Sequence, residues 1–236
     1  MRMRKKPNLD FRMQQCVTLQ EKEPESFRGH WREKYPGYQK ICLEIGCGKG
    51  RFTIESAKQE PTMLLIAMEK VQSAMVMAME RAKKAKIKNV VFLDMDASGL
   101  EEVFAPGEID RIYINFCDPW PKSRDAKFRL TAPGFLRLYA DVLADGGEIW
   151  FKTDNGPLFE WSVERFEEEG WTLHDITRDL HAEGIKGVMT DYETKFYEQG
   201  MAIKRAVAVK NGATKNTASG IPPRLRNAAL SDARNC

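Results

Sequence analysis

Residues 41–50 read Ile-Cys-Leu-Glu-Ile-Gly-Cys-Gly-Lys-Gly, or ICLEIGCGKG. A short apolar run breaks on a series of glycines. The run suits a strand buried on both faces. The glycines allow a tight turn, positive φ and close approach of a ligand to the backbone. The dinucleotide fingerprint is G-x-G-x-x-G, but the spacing here is G-x-G-x-G, and Arg51 stands where the last glycine belongs. A bulky Arg where a helix should press on the sheet argues against a pyrophosphate site. The loop Gly46, Gly48, Gly50 therefore suits a ligand without phosphates. A plain tight turn would use the same glycines.

Four more apolar runs follow: Met63–Met68, Val90–Leu93, Arg111–Phe116 and Glu148–Lys152. Helical stripes lie between them. Val71, Ala74, Met75, Ala78 and Ala82 repeat at three- and four-residue steps, as do Phe135, Leu136, Tyr139, Val142 and Leu143, with Gly146-Gly147 as the expected stop. Phe159, Val163 and Phe166 form a third stripe, with Pro157 near its start and Gly170 past its end. Alternating strands and helices predict an α/β fold, a mostly parallel sheet with helices on both faces. In such sheets the ligand sits outside the carboxyl ends of the strands.

Those ends carry acids. Glu44 stands two residues before the first glycine, Glu69 ends the second run, and Asp96 follows the third. An acid after the second strand suits the ribose hydroxyls of a bound adenosine, and one after the third suits an adenine amino group. Each also has a plainer reading, as a helix N-terminal acid or cap. Three acids at successive strand ends behind a glycine loop point together to S-adenosylmethionine, an adenosine joined to an amino acid.

The fourth run ends in INFCDPWPKSRDAKFR, residues 114–129. Pro119 and Pro121 stiffen the turn, and Trp120 is placed to stack or wedge. The Asp118 carboxylate suits a base that offers a ring N–H and an amino group together, as guanine does. Lys122, Arg124, Lys127 and Arg129 suit the phosphates of a nucleic acid. A helix cap before an exposed basic turn is the plainer reading of an isolated DPW. Cys117 invites a covalent reading as a nucleophile, against the simpler one of a small buried side chain.

Composition bounds the rest. The chain has 236 residues, 42% of them hydrophobic, enough for a sizeable core. Net charge is +3, from 37 basic and 34 acidic residues, so any polyanion site must be a local patch. Both termini are basic. Residues 1–38 are expected to form a largely irregular arm, 39–209 the compact domain and 210–236 a flexible tail. Five cysteines show no CxxC pair, and neither a secretory segment nor an apolar run of membrane length is present. This predicts a reduced, cytoplasmic protein without a metal framework. His30, His174 and His181 lack spaced partners and are expected to be structural or surface residues.

In combination, LEIGCGKG, the acid at 69, NFCDPWPK, FKTDN and TDYETKF resemble the bacterial tRNA (guanine-N7-)-methyltransferases over roughly residues 39–209, in one order and spacing. The resemblance implies a single Rossmann-like class I methyltransferase domain with a seven-stranded sheet. It also implies S-adenosylmethionine as donor and the guanosine at tRNA position 46, in the variable loop, as acceptor. Glu44, Glu69, Asp96 and Asp118 match the family's cofactor acids, and Asp118 also its catalytic aspartate. Lys122 and Asp154 match substrate-binding residues, as do Thr194 and Lys195 of the TKF segment. Read alone, TDYETKF is only a polar loop before the last strand.

The chain departs from the family where Asp125 replaces a usual His, Phe128 an Arg and Tyr197 a Glu. A methyltransferase acting on another base nitrogen and a non-catalytic RNA-binding protein are the alternative readings. The resemblance implies tRNA as the partner, with a monomer or homodimer equally compatible.

Overall fold

The computed structural model describes residues 8–211. Arg2, Arg4, Lys5 and Lys6, and the tail from 212 with its expected flexibility, lie outside the described residues. Seven strands build one sheet: β1 (Lys40–Ile45), β2 (Met63–Met68), β3 (Val90–Leu93), β4 (Ile109–Asn115), β5 (Leu143–Thr153), β6 (Thr172–Thr177) and β7 (Lys204–Val209). Their order is β3-β2-β1-β4-β5-β7-β6. The first five are parallel, and β7 runs antiparallel to both β5 and β6. The sheet is thus mostly parallel and closes on an antiparallel hairpin.

Strand alternation sorts the core into two layers. Ile41, Leu43 and Ile45 face one side, with α5 (Leu100–Val103), α6 (Pro133–Val142) and α7 (Gly156–Glu168) packed over it. Cys42 faces the other, under α3 (Arg51–Gln59) and α4 (Gln72–Lys84). The α7 stripe falls where the spacing predicts, and so does that of α4 from Ala74 onward, while Val71 precedes the helix and is exposed. The stop of α6 does not. It ends at Val142, and Leu143 passes straight into β5, paired with Ile109. Gly146-Gly147 instead forms an irregularity inside β5, where the partners jump from Leu143 to Glu148. Gly146 takes φ +72°, and a Cβ on Gly147 would sit 2.8 Å from the Ala144 carbonyl.

The segment before β1 is more ordered than its composition predicts. It holds α1 (Leu9–Gln14), α2 (Trp31–Lys34) and two 3-10 turns. Trp31 is fully buried, and its Nε1–H donates to the Val103 carbonyl at 3.0 Å. The Glu108 carboxylate accepts the N–H groups of Gly29, Trp31 and Ala105, each at 2.9 Å. The Glu21 N–H donates to the Phe92 carbonyl, so this segment covers the free edge of β3.

Gly50 is where the glycine loop meets the helix layer. It has φ +77°, and an added Cβ would lie 2.5 Å from Ala78 Cβ and 2.9 Å from its Cα. Gly46 has φ +76° with nothing within 4 Å of its Cβ position. Gly50→Ala is expected to cost about 2–4 kcal/mol, from the left-handed backbone plus overpacking, and Gly46→Ala only about 1–2 kcal/mol. Urea denaturation of the two variants measures the difference.

Candidate functional site

Leu93, Met68, Ile45, Ile114 and Phe151 pair in one row across β3, β2, β1, β4 and β5. Five strands therefore end level, and the chain leaves the sheet just beyond that row. Glu69, Asp96, Asp118 and Asp154 all fall on the exits. The row before it is Phe92, Ala67, Glu44, Tyr113 and Trp150, whose side chains face α3 and α4. Period two thus sends Glu44 toward α3 while its neighbours enter the opposite core layer.

The glycine loop follows β1 at once. Gly46 and Cys47 both donate their N–H to the Met68 carbonyl, at 2.9 and 3.0 Å. Gly46 and Gly48 turn bare backbone toward open space, with φ +76° and +56°. Gly50, expected beside the ligand, lies tight against Ala78 of α4. Arg51 is exposed at the first position of α3, so it does not press on the sheet as its place in the motif predicts.

Glu69 ties this loop to the next one. Its Oε2 accepts the Gly48 N–H and its Oε1 the Val71 N–H, both at 2.9 Å. A carboxylate has about four lone-pair directions, so capacity remains for hydroxyls. Glu44 is buried, and its Oε2 accepts the Thr53 hydroxyl at 2.6 Å. Burial pushes its pKa up to about 7 against the opposing pull of Thr53 and, more weakly, of the nearby Asn115 amide and Lys152. Asn115 is itself buried, and beyond this weak approach to Glu44 its amide has no hydrogen-bond partner among the described residues.

At the third exit Asp96 is a cap. It accepts the Ser98 N–H at 3.0 Å ahead of a 3-10 turn, Ala97–Gly99, and meets Lys70 at 3.2 Å. Burial works against its ionisation, but the Ser98 N–H and Lys70 outweigh that and hold its carboxyl below the usual range.

The fourth exit bends sharply. Phe116 has φ 55° and Trp120 φ 42°, positions costly for bulky residues. Asp118 is exposed and has no hydrogen-bond or ion-pair partner among the described residues. Lys122, Arg124 and Lys127 are exposed beside it, and Arg124 reaches Asp125 only at 3.8 Å. Arg129 differs from them. Its guanidinium donates to the Pro119 and Trp120 carbonyls at 3.0 and 2.9 Å and lies 4.4 Å from the Trp161 ring. It closes the loop on itself. Phe128 sits 5.3 Å from Trp120 as its ring partner. Burial pushes the Cys117 thiol up to about 12, which leaves little thiolate for nucleophilic work.

The TDYETKF stretch forms a helix, α8 (Asp191–Glu198), rather than a polar loop. Thr190 caps it, accepting the Glu193 N–H at 2.9 Å, while Glu193 Oε2 accepts the Thr190 N–H at 3.1 Å. This is the capping box that T-x-x-E spells, so the signal lay in the sequence. Thr194 donates back to the Thr190 carbonyl, and Lys195 is exposed. Asp154 is half-buried on the turn after β5, its carbonyl accepting from Lys204.

Sequence reading missed the group that joins α8 to the sheet. Glu193 is completely buried. It receives the Lys152 ammonium at 2.6 Å and His181 Nε2 at 3.0 Å. Lys186 donates its backbone N–H to His181 Nδ1, which leaves Nε2 as the nitrogen that donates to Glu193. Lys152 also donates to the Val188 carbonyl and lies 5.2 Å from the Phe52 ring. Burial lowers its pKa in spite of Glu193. Among the described residues no group of three or more His, Cys, Asp and Glu could hold a metal ion.

Two outcomes follow for stability. Glu193→Ala leaves a buried ammonium unpaired and is expected to cost about 3–5 kcal/mol. Asp191→Ala removes a half-exposed pair with Arg81 and is expected to cost under about 1 kcal/mol. Urea titrations of both variants check this. Glu44 gives a pH dependence. Its folded pKa lies above the ordinary 4.5, so the unfolded chain ionises first. Its contribution to stability therefore falls as pH rises from about 4.5 to 7 and stays low above that. Glu44→Gln should flatten the stability profile across that window.

Comparison with known proteins narrows the reading. A family model described as "Putative methyltransferase" matches residues 38–206. Among solved structures, the 16S rRNA methyltransferase KamB shares the fold with a TM-score of 0.62, at 19% identity over 78% of this chain and 93% of that one. The 16S rRNA (adenine(1408)-N(1))-methyltransferase from Catenulisporales acidiphilia does so with 0.58, at 14% identity over 81% and 94%. Such identities bear on the fold alone. Sequence relatives are nearer. The chain is 42% identical to the tRNA (guanine-N(7)-)-methyltransferase of Bacillus subtilis over 207 residues, 87% of this chain and 97% of that protein. It is also 42% identical to that of Listeria monocytogenes, over 88% and 98%. With that identity over most of this chain and nearly all of those proteins, the chain belongs to the bacterial tRNA (guanine-N7-)-methyltransferase family.

Proposed function

We propose that the strand-end crevice is where this enzyme transfers a methyl group from S-adenosylmethionine to N7 of a tRNA guanosine, with Asp118 holding the base. The observation that carries this is Asp118 itself. It is an exposed carboxylate with no partner among the described residues, beyond the level row and beside exposed Lys122, Arg124 and Lys127.

The chain's residues fit the donor. Gly46 and Gly48 leave open backbone where any Cβ would intrude. Glu69 keeps spare acceptor capacity for ribose hydroxyls, and Asp96 marks the adenine side. Glu44 and the Asn115 amide lie together at the base of the crevice. An amino group arriving there would draw Glu44 toward its ionised form. Bound S-adenosylmethionine supplies a methyl group on a sulfonium sulfur, already an activated electrophile.

The acceptor side needs little acid–base chemistry. Guanine N7 carries an in-plane lone pair and has no proton to lose. The requirement is alignment. The Asp118 carboxylate suits the guanine ring N–H and amino group, which would fix the base edge. Asp154, at the neighbouring exit, adds a second carboxylate. As the purine gains positive charge, both stabilise it electrostatically. Lys122, Arg124 and Lys127 supply phosphate contacts, while Arg129 keeps the Pro119–Trp120 turn in shape. Lys195 and Thr194 on α8 bound the crevice on the other side.

Asp118→Ala is expected to lower methyl transfer to tRNA by about 100-fold or more while S-adenosylmethionine binding weakens only in part. A variant with normal turnover would refute the assignment. Lys122→Ala should weaken tRNA binding and reduce the slope of affinity against salt by about one.

A further inference from the structure

A row of rings leads from the bent fourth exit to the outside of α8. Phe116, two residues before Asp118, lies 6.0 Å from Phe196, centroid to centroid. Phe196 lies 6.4 Å from Tyr192, with ring planes 28° apart. Phe116 and Phe196 are half-buried, whereas Tyr192 is 63% exposed.

The residues on either side of Tyr192 are anchored. Asp191 meets Arg81 at 2.7 Å, and Glu193 is locked to Lys152 at 2.6 Å. The first turn of α8 is therefore held still while the ring between them faces water. The other end of the row depends on the same strand residue. Phe116 keeps its left-handed backbone through an N–H donated to the Lys152 carbonyl at 2.8 Å. Lys152 thus fixes both ends, one by its backbone and one by its ammonium.

Exposed cations flank the row, Lys195 on α8 and Lys122, Arg124 and Lys127 on the loop after β4, together with the exposed carboxylates of Asp118 and Glu198. Cations suit a phosphate chain, and rigid rings suit bases. A guanine that enters a strand-end crevice must leave its stack, and its neighbours lose a stacking partner. Proteins commonly receive such splayed RNA bases on aromatic side chains.

We propose that Tyr192, backed by Phe196 and Phe116, stacks on a nucleobase adjacent to the target guanosine, so that α8 holds the opened strand. This rests on tRNA as the acceptor. Every base has a π-face, so the contact strengthens binding with little sequence preference.

The test compares Tyr192→Ala, Tyr192→Phe and Tyr192→Trp on an unmodified tRNA transcript. Direct binding is followed by fluorescence anisotropy, alongside methyl-transfer kinetics, S-adenosylmethionine affinity and thermal melting. Tyr192→Ala is expected to raise Kd and KM for tRNA about tenfold, with kcat and donor affinity within about twofold and melting unchanged. The Phe and Trp variants should stay within about threefold of wild type. Unchanged tRNA affinity in Tyr192→Ala overturns the proposal. So does a Phe variant as weak as the Ala variant, which would mark a hydroxyl contact. A drop in melting temperature with equal loss of donor binding would mark a packing role and overturn it too. A wild-type protein that binds tRNA without methylating it would refute the acceptor chemistry. The tenfold binding loss would still uphold stacking, and equal binding would overturn it. A wild-type protein that does not bind tRNA removes both.

Discussion

Level strand ends are the constraint on which the rest of the molecule depends. Parallel pairing places Leu93, Met68, Ile45, Ile114 and Phe151 in one row, and all five side chains enter the same core layer. A shift of one residue in any strand would turn its apolar side chains to the wrong face. Because that shift is forbidden, the residues just past the row are forced into one crevice. Asn115 and Lys152 come from two strands, yet stand side by side in the next row of the sheet. No local sequence feature brings them together. The hydrophobic register does.

Within that frame, a buried charge pair secures α8 to the sheet. The ammonium of Lys152 and the carboxylate of Glu193 are both nearly out of water, which is costly unless the pair and its hydrogen bonds are complete. Here they are complete: Thr190, His181 and the Val188 carbonyl fill the remaining directions. The result is a short helix docked firmly against β5 at the mouth of the crevice. Arg129 does the same for the opposite wall, gripping the Pro119 and Trp120 carbonyls so that Asp118 is presented without a partner among the described residues. Rigid walls around an unpartnered carboxylate are what alignment of a base requires.

Much of this was legible in the sequence. Strands β1 to β4 announce themselves because each is an apolar run that stops on glycine or an acid, and the exits follow directly. The helices α4 and α7 show clean three- and four-residue spacing. What could not be read depends on distant contacts. Gly50 looks like a ligand glycine, but Ala78, 28 positions later in the chain, dictates it. Gly146-Gly147 looks like a helix stop, yet strand pairing with Ile109 begins before it. Arg129 matches its neighbours in type and differs from them only because Trp161 and two loop carbonyls surround it. The segment before β1 has no periodicity, since a few widely spaced residues, Leu9, Cys16 and Trp31, anchor it to the core. Lys152 and Glu193 lie 41 residues apart, and only the fold makes them a pair. The α8 helix was within reach, through the capping box at Thr190 and Glu193.

The account turns on a methyl donor at the glycine loop and a guanine held at Asp118. The most direct measurement incubates the purified protein with methyl-labelled S-adenosylmethionine and an unmodified tRNA transcript, then locates the label by nuclease digestion and mass spectrometry. The account predicts 7-methylguanosine in the variable loop as the labelled product. Label on another base or another atom would contradict the assignment of Asp118 to a guanine edge, and no label at all would contradict the catalytic reading of the crevice.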